Sequence, residues 1–297
     1  MKIKHSVGER IFTFCNYVFM VLLASTMLVP FLRVISLSLS SGNAIMSGEV
    51  MLFPKQFTFE SYAKLIENGQ IVRSFGNTVY VTIIGTAINI AATILCAYPL
   101  SKKRLRGSGI FKGMIIFTML FSGGLIPAFV LIRNLGLMDT YGALWFPSLL
   151  SVYNMMVLTT FFRGVPSSLE ESAAIDGAND LRILVQIILP LSMPVLATLT
   201  LFYAVGWWNE YFGTMIFISS SKKYTMTIRL LQMIQNVAKS ALDTTKGSEG
   251  VDKVAQTMTP EGVKATAIVM TITPIMCVYP FLQKHFIKGV MIGSLKG

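Results

Sequence analysis

Residues 164–194 read GVPSSLEESAAIDGANDLRILVQIILPLSMP. Ser167 and Glu170 have the S-x-x-E spacing of a helix capping box, and Ser168 with Glu171 repeats it one residue on. Either pair starts a short helix over 169–176, with acidic side chains in the first turn where the positive end of the helix dipole favours them. Gly177 then ends it, because glycine takes the left-handed conformation without the cost of about 1–2 kcal/mol that a Cβ brings. A second amphipathic helix spans 179–189 and is expected to stop before Pro190. The stretch is a helix–Gly–helix elbow. Ala173 and Ala174 give it a small, flat surface, and Glu170, Glu171, Asp176 and Asp180 ring that surface with negative charge. Such a knob can be gripped by another protein and pass rigid-body motion to its flanks. By periodicity and capping alone, an ordinary amphipathic interfacial loop fits as well.

The elbow is flanked by apolar runs. The chain has 297 residues, 53% hydrophobic and 13% charged, with a mean hydropathy of +0.64. A soluble domain carries about 25% charged residues, so much of this surface faces lipid. A membrane-spanning helix needs about 20 mostly apolar residues. Six runs qualify, at 11–35, 75–100, 110–132, 142–162, 194–219 and 264–282. The first has a basic start at Lys2, Lys4 and Arg10 but exceeds the roughly 7–15 residues of a signal-peptide core and lacks an A-x-A site, so it is expected to stay as a helix. Pro30, Gly123, Gly124, Pro127, Pro274 and Pro280 lie inside runs, where neighbouring helices or water must satisfy the freed backbone groups.

Orientation follows the lysines and arginines of short loops. Lys102, Lys103, Arg104, Arg106 and Lys112 follow the second run with no acidic residue among them, which places that loop in the cytoplasm. Six spans then leave both termini cytoplasmic, the coupling loop 164–193 inside, and the segments 36–74 and 220–263 outside. The basic 220–263 segment weighs against this, although it is long and also holds Asp243, Glu249, Asp252 and Glu261. The net charge of +11 would suggest nucleic acid for a soluble protein; here it lies mostly in loops beside membrane spans, and no nucleic-acid partner is expected. One all-α polytopic membrane domain over 1–297 is expected.

The rest of the chemistry is sparse. Cys15, Cys96 and Cys277 sit in apolar runs without zinc spacing. His5 and His285 lie near membrane ends and read as solvated groups. No metal site, catalytic set or G-x-x-x-x-G-K-[ST] phosphate loop is present, so the chain is read as no enzyme and as binding no cofactor. Glu210 lies inside the fifth run, where a charge costs about 2.5–3.5 kcal/mol and must face the bundle or a water-filled path. It is read either as a lining or gating group or, with slight preference, as a structural hydrogen-bond anchor. Tyr153, Asn154, Trp207, Trp208, Asn209 and Tyr211 offer the aromatic faces and amides that bind sugars, with packing as the ordinary alternative for each. Arg133, at the outer end of the third run, could meet an anionic sugar or snorkel. An amphipathic stretch at 227–238 (TIRLLQMIQNVA) reads as a helix for a binding protein or for the lipid surface, and 248–262 as a polar surface loop.

Glu171-Ser172-Ala173, three residues, Gly177, nine residues, Ile187, one residue and Leu189-Pro190 match the EAA---G---------I-LP signature of ABC importer permeases, with Ser172 in place of the first alanine. Asn77-Thr78, Ala97-Tyr98-Pro99-Leu100-Ser101 and Trp208-Asn209-Glu210-Tyr211 resemble the MalG-like carbohydrate permeases. Residues 121–127 (FSGGLIP) and 133–140 (RNLGLMDT) resemble their LplC/YtcP-like subgroup, associated with complex and acidic oligosaccharides. The resemblance implies the type I importer permease fold in the bacterial cell membrane. It also implies a heterodimer with a second permease subunit, two ABC ATPase subunits that bind ATP and Mg, and an extracellular solute-binding lipoprotein. Glu170, Glu171, Ser172, Ala173, Ala174, Asp176, Gly177 and Pro190 would then couple to the ATPase. The implied cargo is an oligosaccharide moved by alternating access. Lipid or amino-acid cargo in the same class, or an ion-driven secondary transporter using Glu210, are the competing readings.

Overall fold

The computed structural model describes residues 7–67, 69–242 and 259–294. Those residues are helical apart from turns and one isolated antiparallel bridge, Ser40 with Phe57. The helices are α1 (Val7–Ser38), α2 (Gly42–Met46), α3 (Glu60–Glu67), α4 (Gln70–Ser101), α5 (Ser108–Leu120), α6 (Leu125–Asn134), α7 (Gly142–Trp145), α8 (Val152–Arg163), α9 (Ser167–Ile175), α10 (Asp180–Leu191), α11 (Met193–Trp208), α12 (Phe212–Phe217), α13 (Met226–Leu242) and α14 (Pro260–Ser294).

The contacts divide the chain into two units. The first holds 1–71 and 230–273. In it, the apolar stretch Gly8–Ser38 of α1 has 31 residues, and none of its most apolar window is buried. At 1.5 Å per residue that is about 46 Å, longer than a hydrocarbon core of about 30 Å. Serines knit its end to the following segment. Ser36 Oγ donates to Leu52 O at 2.6 Å, the Lys55 N–H donates to Ser40 Oγ at 3.0 Å, and the Tyr62 hydroxyl donates to Ser38 Oγ at 2.8 Å. Ser41 caps α2 by accepting from the Ala44 N–H.

The second unit holds 72–229 and 274–297. Two apolar clusters organise it. One gathers Ala97 and Tyr98 of α4, Met155, Leu158 and Phe162 of α8, Ile183 and Ile188 of α10, and Leu196 and Leu199 of α11. The other joins Val81 of α4, Ile132, Leu144, Trp207 and Phe217. Along α4, Asn89 and Thr93 lie between the two, and both are buried. A polar band thus separates two apolar ends.

The expected runs at 11–35 and 75–100 lie within α1 and α4, the two helices long and apolar enough by themselves to cross a membrane among the described residues. The run 264–282 lies within α14, which continues through Pro274 and Pro280. Three runs are not single helices. Residues 110–132 break into α5 and α6, bent by 110°. Gly124 there has φ 85° and ψ 173°, a conformation essentially reserved for glycine, and Pro127 follows in the first turn of α6. Residues 142–162 hold the one-turn α7, a non-helical link through Pro147, and then α8, whose cap Ser151 accepts from the Asn154 N–H. Residues 194–219 are interrupted at 209–211 between α11 and α12. Hydropathy records that these segments are apolar. It does not record where a glycine pair or a side-chain cap ends a helix.

Candidate functional site

The elbow forms as α9, Gly177 and α10. Gly177 has φ 81°, and its N–H bonds back to Ala174 O while the Ala178 N–H reaches Ala173 O, closing the end of α9. No atom lies within 4 Å of a Cβ built on Gly177, so only the backbone conformation demands glycine. Asn179 then caps α10 by accepting from the Arg182 N–H at 2.8 Å.

Two local expectations fail. The N-cap of α9 is Pro166, with no side-chain cap. Ser167 is already helical, and Glu170 does not reach back to it because its carboxylate takes a stronger partner, Lys102 Nζ at 2.5 Å. Nor does the second helix stop before Pro190. Residues 184–188 open into a wide π turn, with the Leu189 N–H bonding to Leu184 O five residues back. A widened turn relieves the clash between a proline ring and the carbonyl four residues earlier, so α10 runs through Pro190 to Leu191.

The acidic ring also divides into two parts. Glu170 and Asp180 reach the basic loop after α4, pairing with Lys102 and with Arg104. The Arg104 hydrogen bond holds the Asp180 carboxyl below its usual range. Lys102 Nζ also lies 4.2 Å from the Tyr98 ring centroid, and the Tyr98 hydroxyl donates to Asp180 O at 3.3 Å. Glu171, Ser172, Ala174 and Asp176 stay exposed, and Ala173 is half-buried. Beside them Ile175 is 87% exposed and Leu181 65%. The elbow therefore presents a bare apolar tip flanked by Glu171 and Asp176.

A cavity of about 370 Å³ opens in the polar band, at the small end of the ~300–1,000 Å³ usual for ligand sites. Its lining includes Asn89, Ser151, Asn154, Tyr203, Trp207 and Glu210. The Asn89 amide donates to Ser148 O and Leu149 O, and its Oδ1 accepts from Trp207 Nε1 at 2.6 Å. Thr93 spends its one proton on Asn89 O, so Tyr203 is the donor in the 2.7 Å hydroxyl pair between them. The Tyr203 oxygen also accepts from the Ser151 N–H at 3.2 Å. Asn154 is buried, lines the same cavity, and its carboxamide bonds to no other described residue.

Of the eight path candidates, Asn154, Trp207 and Glu210 come together on this cavity. Glu210 Oε1 accepts the Gly213 N–H at 2.6 Å and so caps α12, which supports the structural reading of that carboxylate. Trp208 packs edge-to-face on Phe75, ring centroids 5.9 Å apart. Tyr153, Asn209, Tyr211 and Arg133 are exposed and line no part of the cavity. Asn89, Tyr203, Ser148 and Ser151 were not expected; a buried asparagine in an apolar run was the available sign of the first.

At the opposite end from the elbow, Asp139 holds the chain after α12. Its Oδ1 accepts from the Ser219 and Ser220 N–H groups, and Oδ2 pairs with Lys223 at 2.9 Å. The Lys223 hydrogen bond and then the Ser220 N–H lower the Asp139 carboxyl below its ordinary 3.8. Asn77 Nδ2 donates to Lys222 O and Tyr224 O. The stretch 227–238 is helical, within α13; residues 243–258, with most of the expected polar loop 248–262, lie outside the described residues, as do His5 and the His285 side chain. The three cysteines are free, and no group of metal-ligating side chains exists among the described residues.

Residues 89–292 match the family model of the binding-protein-dependent transport system inner membrane component. Protein LplC of Bacillus subtilis is 39% identical over 97% of this chain and 96% of its own. The polygalacturonan/rhamnogalacturonan transport system permease protein YtcP of the same organism is 38% identical, over 97% and 99%. A chain of the crystal structure of a bacterial ABC transporter that imports the acidic polysaccharide alginate superposes with a TM-score of 0.87 at 33% identity, covering 96% of this chain and all of that one. The fold is that of a type I ABC importer permease. The chain belongs to the inner membrane component family of binding-protein-dependent transport systems.

Proposed function

We propose that this chain is one of two permease subunits of an ATP-driven importer of oligosaccharides, with acidic polysaccharide fragments as the leading cargo. The observation that carries the coupling half is the elbow. A left-handed Gly177 holds a bare tip of Ala174, Ile175 and Leu181 beside two unpaired carboxylates, Glu171 and Asp176. That tip fits a groove on an ATPase subunit. Two such subunits would bind ATP and Mg, and this chain would add no chemistry of its own. Closure of the ATPases would carry the elbow inward and rotate the helices that line the cavity, opening it by turns to a docked solute-binding lipoprotein and to the cytoplasm.

Two relatives support the cargo: a polygalacturonan/rhamnogalacturonan permease at 38% identity and an alginate importer at 33%. The free Asn154 carboxamide suits a sugar hydroxyl, and the exposed Arg133 at the end of α6 suits a sugar carboxylate. Six spans with both termini cytoplasmic follow if α5 with α6 serves one crossing and α11 with α12 another, along with α1, α4, the α8 region and α14, while α10 stays with the elbow on the cytoplasmic side. The test is uptake of labelled oligogalacturonate into proteoliposomes holding this chain with its partner permease, ATPase and binding protein. Uptake that requires ATP supports the reading. Uptake driven by a proton or sodium gradient without ATP overturns it.

A further inference from the structure

The elbow is held by more than its own helix ends. Lys102 and Arg104 sit just after α4, and each pairs with a different arm of the elbow: Lys102 with Glu170 in α9, Arg104 with Asp180 in α10. The pairs straddle Gly177. The inner one is largely shielded, with side-chain exposures of 12% for Lys102 and 24% for Glu170; the outer one is open, at 67% and 59%. Two further contacts fasten the same end. The Tyr98 hydroxyl donates to the Asp180 carbonyl, and Arg163 Nη2, at the end of α8, donates to Leu100 O at 3.2 Å. Four tethers therefore bind the cytoplasmic end of α4 to the elbow and to the helix that leads into it.

The same helix reaches the cavity. Asn89, some three turns back along α4, carries the hydrogen bonds to Trp207 and to the 148–149 link. A displacement of the elbow that took α4 along would move one wall of the cavity directly, without passing through α10 and α11 first.

We infer that Lys102 and Arg104 are positioning residues that make α4 travel with the coupling elbow as one body. The inference rests on the importer reading above. It predicts that the clamp stays closed through the transport cycle. An alternative mechanical role, a latch that must open for the elbow to move, uses the same contacts and predicts the reverse.

A crosslink separates the two. In the assembled transporter, with Cys15, Cys96 and Cys277 replaced by serine, Lys102→Cys and Glu170→Cys are introduced together and bridged by a short bis-methanethiosulfonate spacer. ATP hydrolysis and labelled-oligosaccharide uptake are measured before and after bridging. Losing the pair is expected to lower uptake per ATP hydrolysed by roughly two- to thirtyfold, the range of a single lost coupling contact. Bridging is expected to restore it. The inference is overturned if bridging abolishes the remaining uptake, or if neither the substitutions nor the bridge changes uptake per ATP. If the unsubstituted transporter shows no ATP-dependent uptake, the importer reading itself fails, which the unmodified control reveals independently. Lys102→Arg, which keeps the charge, is expected to transport as the parent does; loss of coupling in that variant would also count against the inference.

Discussion

The Trp207 indole donates to Asn89 Oδ1 at 2.6 Å, while the same ring lies so close to Gly85 that a Cβ there would come within 2.6 Å of it. Both contacts join α4 to α11 at the cavity wall. Glycine at 85 is thus required by close approach, not by backbone conformation. Gly85→Ala is expected to push the indole off its partner and destabilise the protein by about 1–3 kcal/mol, the usual cost of overpacking. Thermal unfolding of the detergent-solubilised chain checks this. Trp207→Phe is expected to destabilise by a similar amount, about 1–3 kcal/mol, for a different reason, because it leaves the buried Asn89 oxygen without its donor. A melting temperature unchanged by Gly85→Ala would show that the helices separate here at little cost.

Gly177 makes the complementary case. Its Cβ position is empty but its φ of 81° is left-handed. Gly177→Ala is expected to cost about 1–2 kcal/mol from backbone strain alone, and Gly177→Asn less, since asparagine tolerates that region. Gly177→Asp adds a third charge beside Glu171 and Asp176. That variant is expected to remain in the membrane yet fail to retain the ATPase subunit through co-purification. Normal retention and transport in Gly177→Asp would remove the elbow from the coupling mechanism.

The elbow was legible in the sequence because its parts are local: a small-residue helix, a glycine and a proline at fixed spacing. What was misread there depended on distant residues. Glu170 has capping spacing with Ser167, but Lys102, 68 positions away, claims its carboxylate. Pro190 signals a helix end, but a widened turn absorbs it. The apolar runs were legible as composition, and the breaks within them were not, because Gly124 and Glu210 act through conformation and capping that hydropathy does not weigh. At the cavity, the sequence pointed to the aromatic Trp207 and the amide Asn154. It missed Asn89 and Tyr203, whose roles exist only when α4, α8 and α11 meet.

Asp139 gives the pH dependence. Its carboxyl is lowered below 3.8, first by the Lys223 hydrogen bond and then by the Ser220 N–H. A group whose folded pKa is depressed contributes stability above its unfolded pKa and loses it as pH falls through the folded one. The tie between Asp139 and the 219–223 segment is therefore expected to hold at neutral pH and weaken only as pH drops below about 4. Asp139→Ala is expected to lower the melting temperature at neutral pH and to flatten its fall on acidification. A parallel acid profile in the variant and the parent would show that Asp139 does not hold the segment.

Glu210 can be assigned by separating its charge from its oxygen. Its Oε1 caps α12 through the Gly213 N–H at 2.6 Å, and its backbone carbonyl accepts from the Thr225 hydroxyl at 3.3 Å. A glutamine keeps an acceptor oxygen at the capping position and removes the charge. An alanine removes both. Glu210→Gln is therefore expected to fold and transport close to the parent, and Glu210→Ala to lose about 0.5–2 kcal/mol, as helix caps do. A proton relay makes the opposite demand, because the relay needs the ionisable group and not the cap. Uptake abolished in Glu210→Gln with an unchanged melting temperature would mean that the carboxylate serves the transported species or a coupling ion. Uptake retained in Glu210→Gln with stability lost in Glu210→Ala would fix Glu210 as the anchor that lets α11 break at 209–211 beside the cavity.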